Sequence, residues 1–358
     1  MQHFWHGLTR PSLTAIIIAC GVSTGTFILL AFAITAEFMS HSGDVIFAAT
    51  NRDYDVFSST RALRLKSERP QIPKLILLGG STMRATFLEG DLRDTLANAG
   101  LGGVEVVKLC TSRQLLWDSL AFIDTLPVGA RGVLMLGVSP GQFTTSRDEL
   151  LQRIRKPRLA FQSQVQNETA AILTIAPKRR ETGIYALDNI RFLLGRVRAI
   201  ASNVTTDSAP QMVDSWYIGR YPLPRDQYMD QSVKVQNRFE LYEVNRKANF
   251  TILDALVKAV QLRTKLKLVL VEMPINPSFI EVYSLQGLIS QHEQRMHEFS
   301  REHDIRYVVM EKLLALKPTA FYDWAHLNDP ETVRRASQSV VSKIADLFKE
   351  YQQHKRSM

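Results

Sequence analysis

Five short apolar runs constrain this chain more than any other feature. Leu75–Leu78 (LILL), Val104–Leu109 (VEVVKL), Gly132–Gly137 (GVLMLG), Leu266–Val271 (LKLVLV) and a shorter run at Ile305–Val309 are separated by stretches with helical spacing. Those stretches are Phe87–Ala99, Leu115–Leu126, Phe250–Leu262 and Leu285–Glu302, with a last helix expected from Pro330 to about Tyr351. A strand that faces water on one side alternates apolar and polar residues, whereas a near-continuous apolar run must be covered on both faces. Such runs alternating with helices imply βαβ units, so the expected class is α/β with a central parallel sheet. With 358 residues, 45% hydrophobic and 22% charged, the chain can bury a real core and is not globally disordered.

A different constraint comes first along the chain. Pro11–Ala36 carries no charge, and Ile16–Ile34 is dominated by Ile, Leu, Phe, Ala and Val. About 20 such residues in a helix span the hydrocarbon core of a bilayer. Arg10 before the run and Glu37 after it favour a cytoplasmic N-terminus, which places the rest of the chain in the periplasm or outside. Residues 1–40 are therefore expected to be a cytoplasmic tip and membrane anchor. The alternative is a cleaved signal with Ala31-Phe32-Ala33 as the cleavage site, although the run is longer than a typical signal core. Gly21 and Gly25 form a Gly-x-x-x-Gly pair, a spacing common by chance. Residues 41–73, interrupted by Arg61, Arg64, Lys66 and Arg69, are expected to be a juxtamembrane linker.

Between the third and fourth apolar runs the rhythm breaks. Residues 146–247 are expected to form an inserted lobe beside the sheet edge, with helices at Glu149–Arg155 and Ile190–Ile200 and an aromatic, Pro-rich stretch at Trp216–Tyr228. The net charge of +9 concentrates in Arg153–Arg158, Lys178–Arg180 and Arg191–Arg198. Such clusters are ordinarily solvated helix faces; the functional readings are an acidic polymer or lipid headgroups. No zinc-finger, RNP-like or helix-turn-helix pattern points to nucleic acid, so no nucleic-acid partner is expected. Cys20 and Cys110 form no metal pattern, the eight histidines show no ligand spacing, and neither a metal nor a cofactor is expected. Residues 351–358 form a basic tail.

Chemistry enters at Lys74–Thr86, KLILLGGSTMRAT. A buried strand ending in Gly-Gly-Ser sets the Ser81 hydroxyl at the carboxyl edge of the sheet, where open α/β folds collect ligands and catalytic groups. Capping the following helix is the ordinary alternative for this serine. Some 240 residues later Phe321–Asn328 (FYDWAHLN) precedes the last helix, which Asn328-Asp329-Pro330-Glu331 starts well, so Asp323 and His326 lie in a loop. An Asp three residues before a His can hold the imidazole Nδ1–H and leave Nε2 free to take a serine proton. Gly-Gly-Ser-Thr lacks the spacing and lysine of a P-loop, which leaves a phosphate-binding protein a distant rival.

With these two blocks the sequence resembles the SGNH/GDSL hydrolase superfamily: Ser81 in LGGST matches its first block, and Asp323-x-x-His326 its last. An N-terminal anchor before such a domain is similar to the membrane-anchored branch that includes the D-alanyl transfer protein DltD and alginate O-acetylation proteins. The resemblance covers residues 74–350, apart from the insertion, and implies a flavodoxin-like three-layer sandwich. It also implies an acyl-serine enzyme (an O-acyltransferase or esterase) acting on a surface or exported glycan or polymer, with Ser81, Asp323 and His326 catalytic. A membrane-bound O-acyltransferase is the partner it suggests. Two blocks depart from the pattern. The second lacks its glycine in Leu109-Cys110-Thr111-Ser112-Arg113, and the third has Ser139 where an asparagine is expected. Gly80, Ser112, Ser139 and Asn276 are the candidates for oxyanion or substrate contacts, and the departures keep open a non-catalytic scaffold or glycan-binding subunit.

Overall fold

Alternation within the strands decides the layering. In the computed structural model, which describes residues 12–68, 70–175, 181–205 and 210–348, five parallel strands form one sheet in the order β2-β1-β3-β4-β5. They are β1 (Lys74–Gly79), β2 (Glu105–Cys110), β3 (Arg131–Val138), β4 (Lys265–Glu272) and β5 (Arg306–Val309). Successive side chains point to opposite faces. Ile76, Leu78, Leu134, Leu136, Leu268 and Leu270 therefore join one core, and Leu75, Leu77, Val133, Met135, Val269 and Val271 the other. Helices cover both faces, as the continuous apolar runs require. The strand order reverses between β1 and β3, the crevice position where open α/β sheets bind ligands.

Residues 41–73 are not a linker. Helices Ala36–Phe47 and Tyr54–Ser67 sit in the first core through Met39, Phe47, Val56, Phe57, Ala62 and Leu65. Their arginines hid this role, because those charges are used in contacts: Arg61 pairs with Glu89, and Arg64 donates to the Ser40 carbonyl at 3.0 Å. The insertion is likewise continuous with that core, contributing Leu150, Leu159, Phe161, Phe192 and Leu193. Arginines from two of its basic clusters act as ties. Arg158 grips Asp55 with two hydrogen bonds of 2.7 and 2.6 Å, and Arg196 pairs with Asp53. The expected helix at 190–200 is two shorter ones, Ile190–Leu194 and Val197–Thr205. Lys178–Arg180, Arg10, Arg69, the tail at 351–358 and the far end of the last helix lie outside the described residues.

The N-terminal helix Leu13–Ala33 is long and apolar enough to cross a membrane, with mean hydropathy 2.2 over its most apolar window. It leads almost directly into the next helix, which Thr35 caps by accepting from the Phe38 N–H at 3.0 Å. Ile34 and Phe38 already pack on the core. Both cysteines are free, and burial pushes the Cys110 thiol up to about 12, leaving it protonated and inert.

Candidate active site

Ser81 opens a six-residue helix, Ser81–Thr86, at the carboxyl end of β1. That helix sits close to the sheet because two glycines leave a notch for Met83. A Cβ on Gly79 would lie 3.0 Å from the Met83 Cβ, and one on Gly137, at the end of β3, would lie 3.1 Å from it. Met83 is fully buried there, while Ser81, two residues earlier, stays half-buried at the sheet edge. The capping role does not fall to this serine: Gly80 is the N-cap, and the Ser81 Oγ lies 2.8 Å from His326 Nε2.

The loop carrying Asp323 and His326 is closed on itself. Tyr322 N–H donates to the His326 carbonyl at 2.7 Å, and Asn328 N–H donates to the Ala320 carbonyl at 3.0 Å. Inside that turn Asp323 Oδ1 accepts from the backbone N–H groups of Ala325 and His326, each at 2.9 Å. Both carboxylate oxygens meet His326 Nδ1, at 2.9 and 2.8 Å. Burial pushes the Asp323 carboxyl up, but the adjacent imidazole and the N–H donors outweigh it and hold the group below the ordinary carboxylate value. An ionised Asp323 on Nδ1 directs the Nε2 lone pair at Ser81, the arrangement a serine needs to become a nucleophile.

The four candidate oxyanion or substrate contacts divide. Gly80 lies beside the turn after β2: a Cβ there would be 3.6 Å from the Gln114 backbone nitrogen. Gln114 is thus the residue of that turn nearest the serine's own strand end, whereas Ser112 is half-buried two positions earlier. Two features shape the turn: Arg113 sits at φ 50, and the Gln114 side chain accepts from the Thr111 N–H at 2.8 Å. Ser139 is half-buried at the end of β3, and its N–H is committed to Gln142 Oε1 at 3.1 Å. Asn276 is buried and belongs to the loop rather than to an oxyanion: its N–H donates to the Trp324 carbonyl at 2.8 Å and its amide to the Asp323 carbonyl at 3.2 Å.

Tyr217, from the inserted segment, was not singled out from sequence. Its ring lies parallel to the His326 imidazole, with centroids 3.9 Å apart and planes 12° from coincidence. Trp216 and Tyr322 meet it at 5.4 and 5.5 Å. Burial, with Asp323 nearby, pushes the Tyr217 phenol up to about 12, against a smaller opposing effect of the Arg84 charge. The other omission is Arg84, buried one turn after Ser81 with its guanidinium 3.3 Å over the Tyr54 ring. Its Nε and Nη1 have no hydrogen-bond partner. Aromatic-rich loops carry no periodic signal, so nothing in the local pattern ties Tyr217 to His326. Among the described residues no group of three or more His, Cys, Asp or Glu side chains could hold a metal ion.

No protein-family model matches this chain, and no curated protein matches it.

Proposed function

We propose that the protein is a membrane-anchored serine acyl-ester enzyme of SGNH type, working through an acyl-serine intermediate on the outer side of the membrane. The observation that carries the reading is the continuous line from Ser81 Oγ to His326 Nε2 at 2.8 Å and from His326 Nδ1 to Asp323 at 2.8 Å. In this reading His326 takes the Ser81 proton as Oγ adds to an acyl carbonyl, then returns it to the leaving alkoxide. Asp323 holds the tautomer and stabilises the imidazolium. Backbone N–H groups at Ser81, and at Gln114 in the turn beside Gly80, would be the donors to the developing oxyanion. The acyl group then passes to a glycan hydroxyl, which makes the enzyme an O-acyltransferase, or to water, which makes it an esterase.

A glycan or anionic polymer acceptor is supported by what rims the site. Arg52 and Arg220 lie 4.5 and 3.8 Å from the Trp216 ring centroid, and Tyr221 beside them is 92% exposed. Aromatic faces and guanidinium groups suit sugar rings and their acidic substituents. The apolar N-terminal helix supports the tether, and a membrane-bound O-acyltransferase is the partner that would supply acyl groups to such a site. A fluorophosphonate probe on the full-length chain in detergent tests the nucleophile. Wild type is expected to be labelled and Ser81→Ala not; equal labelling of both removes Ser81 from the role.

A further inference from the structure

The segment from Trp216 to Leu223 forms no helix or strand, yet it is fixed across the Asp323–His326 loop. Gly219 N–H donates to the Asn328 carbonyl at 2.8 Å, Leu223 N–H to the Tyr322 carbonyl at 2.8 Å, and Asn328 Nδ2 to the Arg220 carbonyl at 2.7 Å. Just before it, Asp214 pairs with Lys108 on β2 and accepts from the Glu89 N–H at 3.0 Å. A segment tied on one side to β2 and Glu89 and on the other to the loop that carries the histidine holds its side chains in one place. The side chain it presents to the centre is Tyr217.

We propose that Tyr217 is a positioning residue of the Ser81 centre: its ring backs the His326 imidazole and holds the base in line between Asp323 and Ser81. The inference rests on the acyl-serine reading. Both ring nitrogens of His326 are committed, to Asp323 and to Ser81. The imidazole can therefore tilt only about that line, and the phenol stacked on its face at 3.9 Å blocks the tilt. The same face attracts the imidazolium that forms during attack.

The test measures the second-order rate of fluorophosphonate labelling of the full chain in detergent from pH 5 to 9. Tyr217→Phe keeps the ring and is expected to label close to the wild-type rate, with the acidic limb of the profile unmoved. Tyr217→Leu is expected to label about 10-fold more slowly, the scale of one lost ring–cation contact, with that limb displaced. A Tyr217→Leu profile superimposable on that of Tyr217→Phe overturns the ring role. Failure of wild type to label overturns the acyl-serine reading itself. A separate measurement distinguishes that case, NMR of histidine-labelled protein. Stacking predicts ring-current-shifted His326 resonances that relax in Tyr217→Leu, and unshifted resonances in wild type overturn the contact.

Discussion

At Asp323 two opposing effects meet in one side chain. Burial alone would favour the protonated acid, and the imidazole together with two backbone N–H contacts reverses it. Asp323→Asn keeps the shape but exchanges an acceptor pair for an amide that can settle the wrong tautomer on His326. Labelling by the fluorophosphonate probe is expected to fall by roughly 10³–10⁴. The same group links folding to pH. Its folded-state value is depressed, so the stability it contributes is full above the unfolded value near 3.8 and is lost as pH falls through the lower folded value. Thermal unfolding across the acid range should therefore show wild type and Asp323→Asn converging below about pH 4. A gap that persists undiminished to pH 2 would locate the effect in packing instead.

Elements rather than single residues bring the serine to the histidine. The Ser81–Thr86 helix is too short to hold itself in place and relies on Met83 seated against Gly79 and Gly137. Met83→Ala removes a fully buried side chain at that seat and is expected to cost about 2–5 kcal/mol in unfolding free energy. Probe labelling should drop as well, because the notch sets the height of Oγ. A variant that loses stability without losing labelling would show that the Ser81–His326 contact holds the helix down by itself. On the other side, Asn276 joins the end of β4 to the Asp323 loop through its own N–H and amide. Asn276→Ala leaves the Asp323 carbonyl without that donor and should slow labelling far less than Asp323→Asn, since the Asx turn still closes the loop.

For the whole molecule, the question is how the apolar helix and the α/β domain are joined. Only Ile34 and Thr35 separate Leu13–Ala33 from Ala36–Phe47, and Ile34 already packs on the core. A domain attached this closely holds one side toward the bilayer that the helix would cross. The anchor reading predicts that the mature protein retains its first 33 residues and stays in the membrane fraction through alkaline extraction. Intact-mass measurement checks this, and a mature N-terminus just after Ala33 would show a cleaved signal.

Much of the architecture was legible because buried parallel strands need apolar residues on both faces. All five runs are strands, three of the four helices between them lie within a few residues of the periodic stretches while the one expected at Phe250–Leu262 starts eight residues earlier at Tyr242, and the last helix starts at Pro330 behind Asp329. Candidate residues Ser81, Asp323 and His326 were legible for a different reason: each sits at an element boundary, a strand end or a helix start, where local pattern shows that a side chain belongs to a loop. Arg61, Arg64 and Arg158 misled, because a charge reads as solvent until its partner is known, and Glu89, the Ser40 carbonyl and Asp55 are 28, 24 and 103 residues away. Tyr217 was out of reach for the same reason, being 109 positions from the imidazole it covers. Spacing along the chain was enough for the class of fold, the apolar helix and the residue types at the sheet edge. Packing between layers was needed to set Ser81 and His326 2.8 Å apart, to seat the insertion in the core, and to bring a tyrosine from it over the histidine. Contacts between distant segments follow from how layers pack, and periodicity carries no record of that.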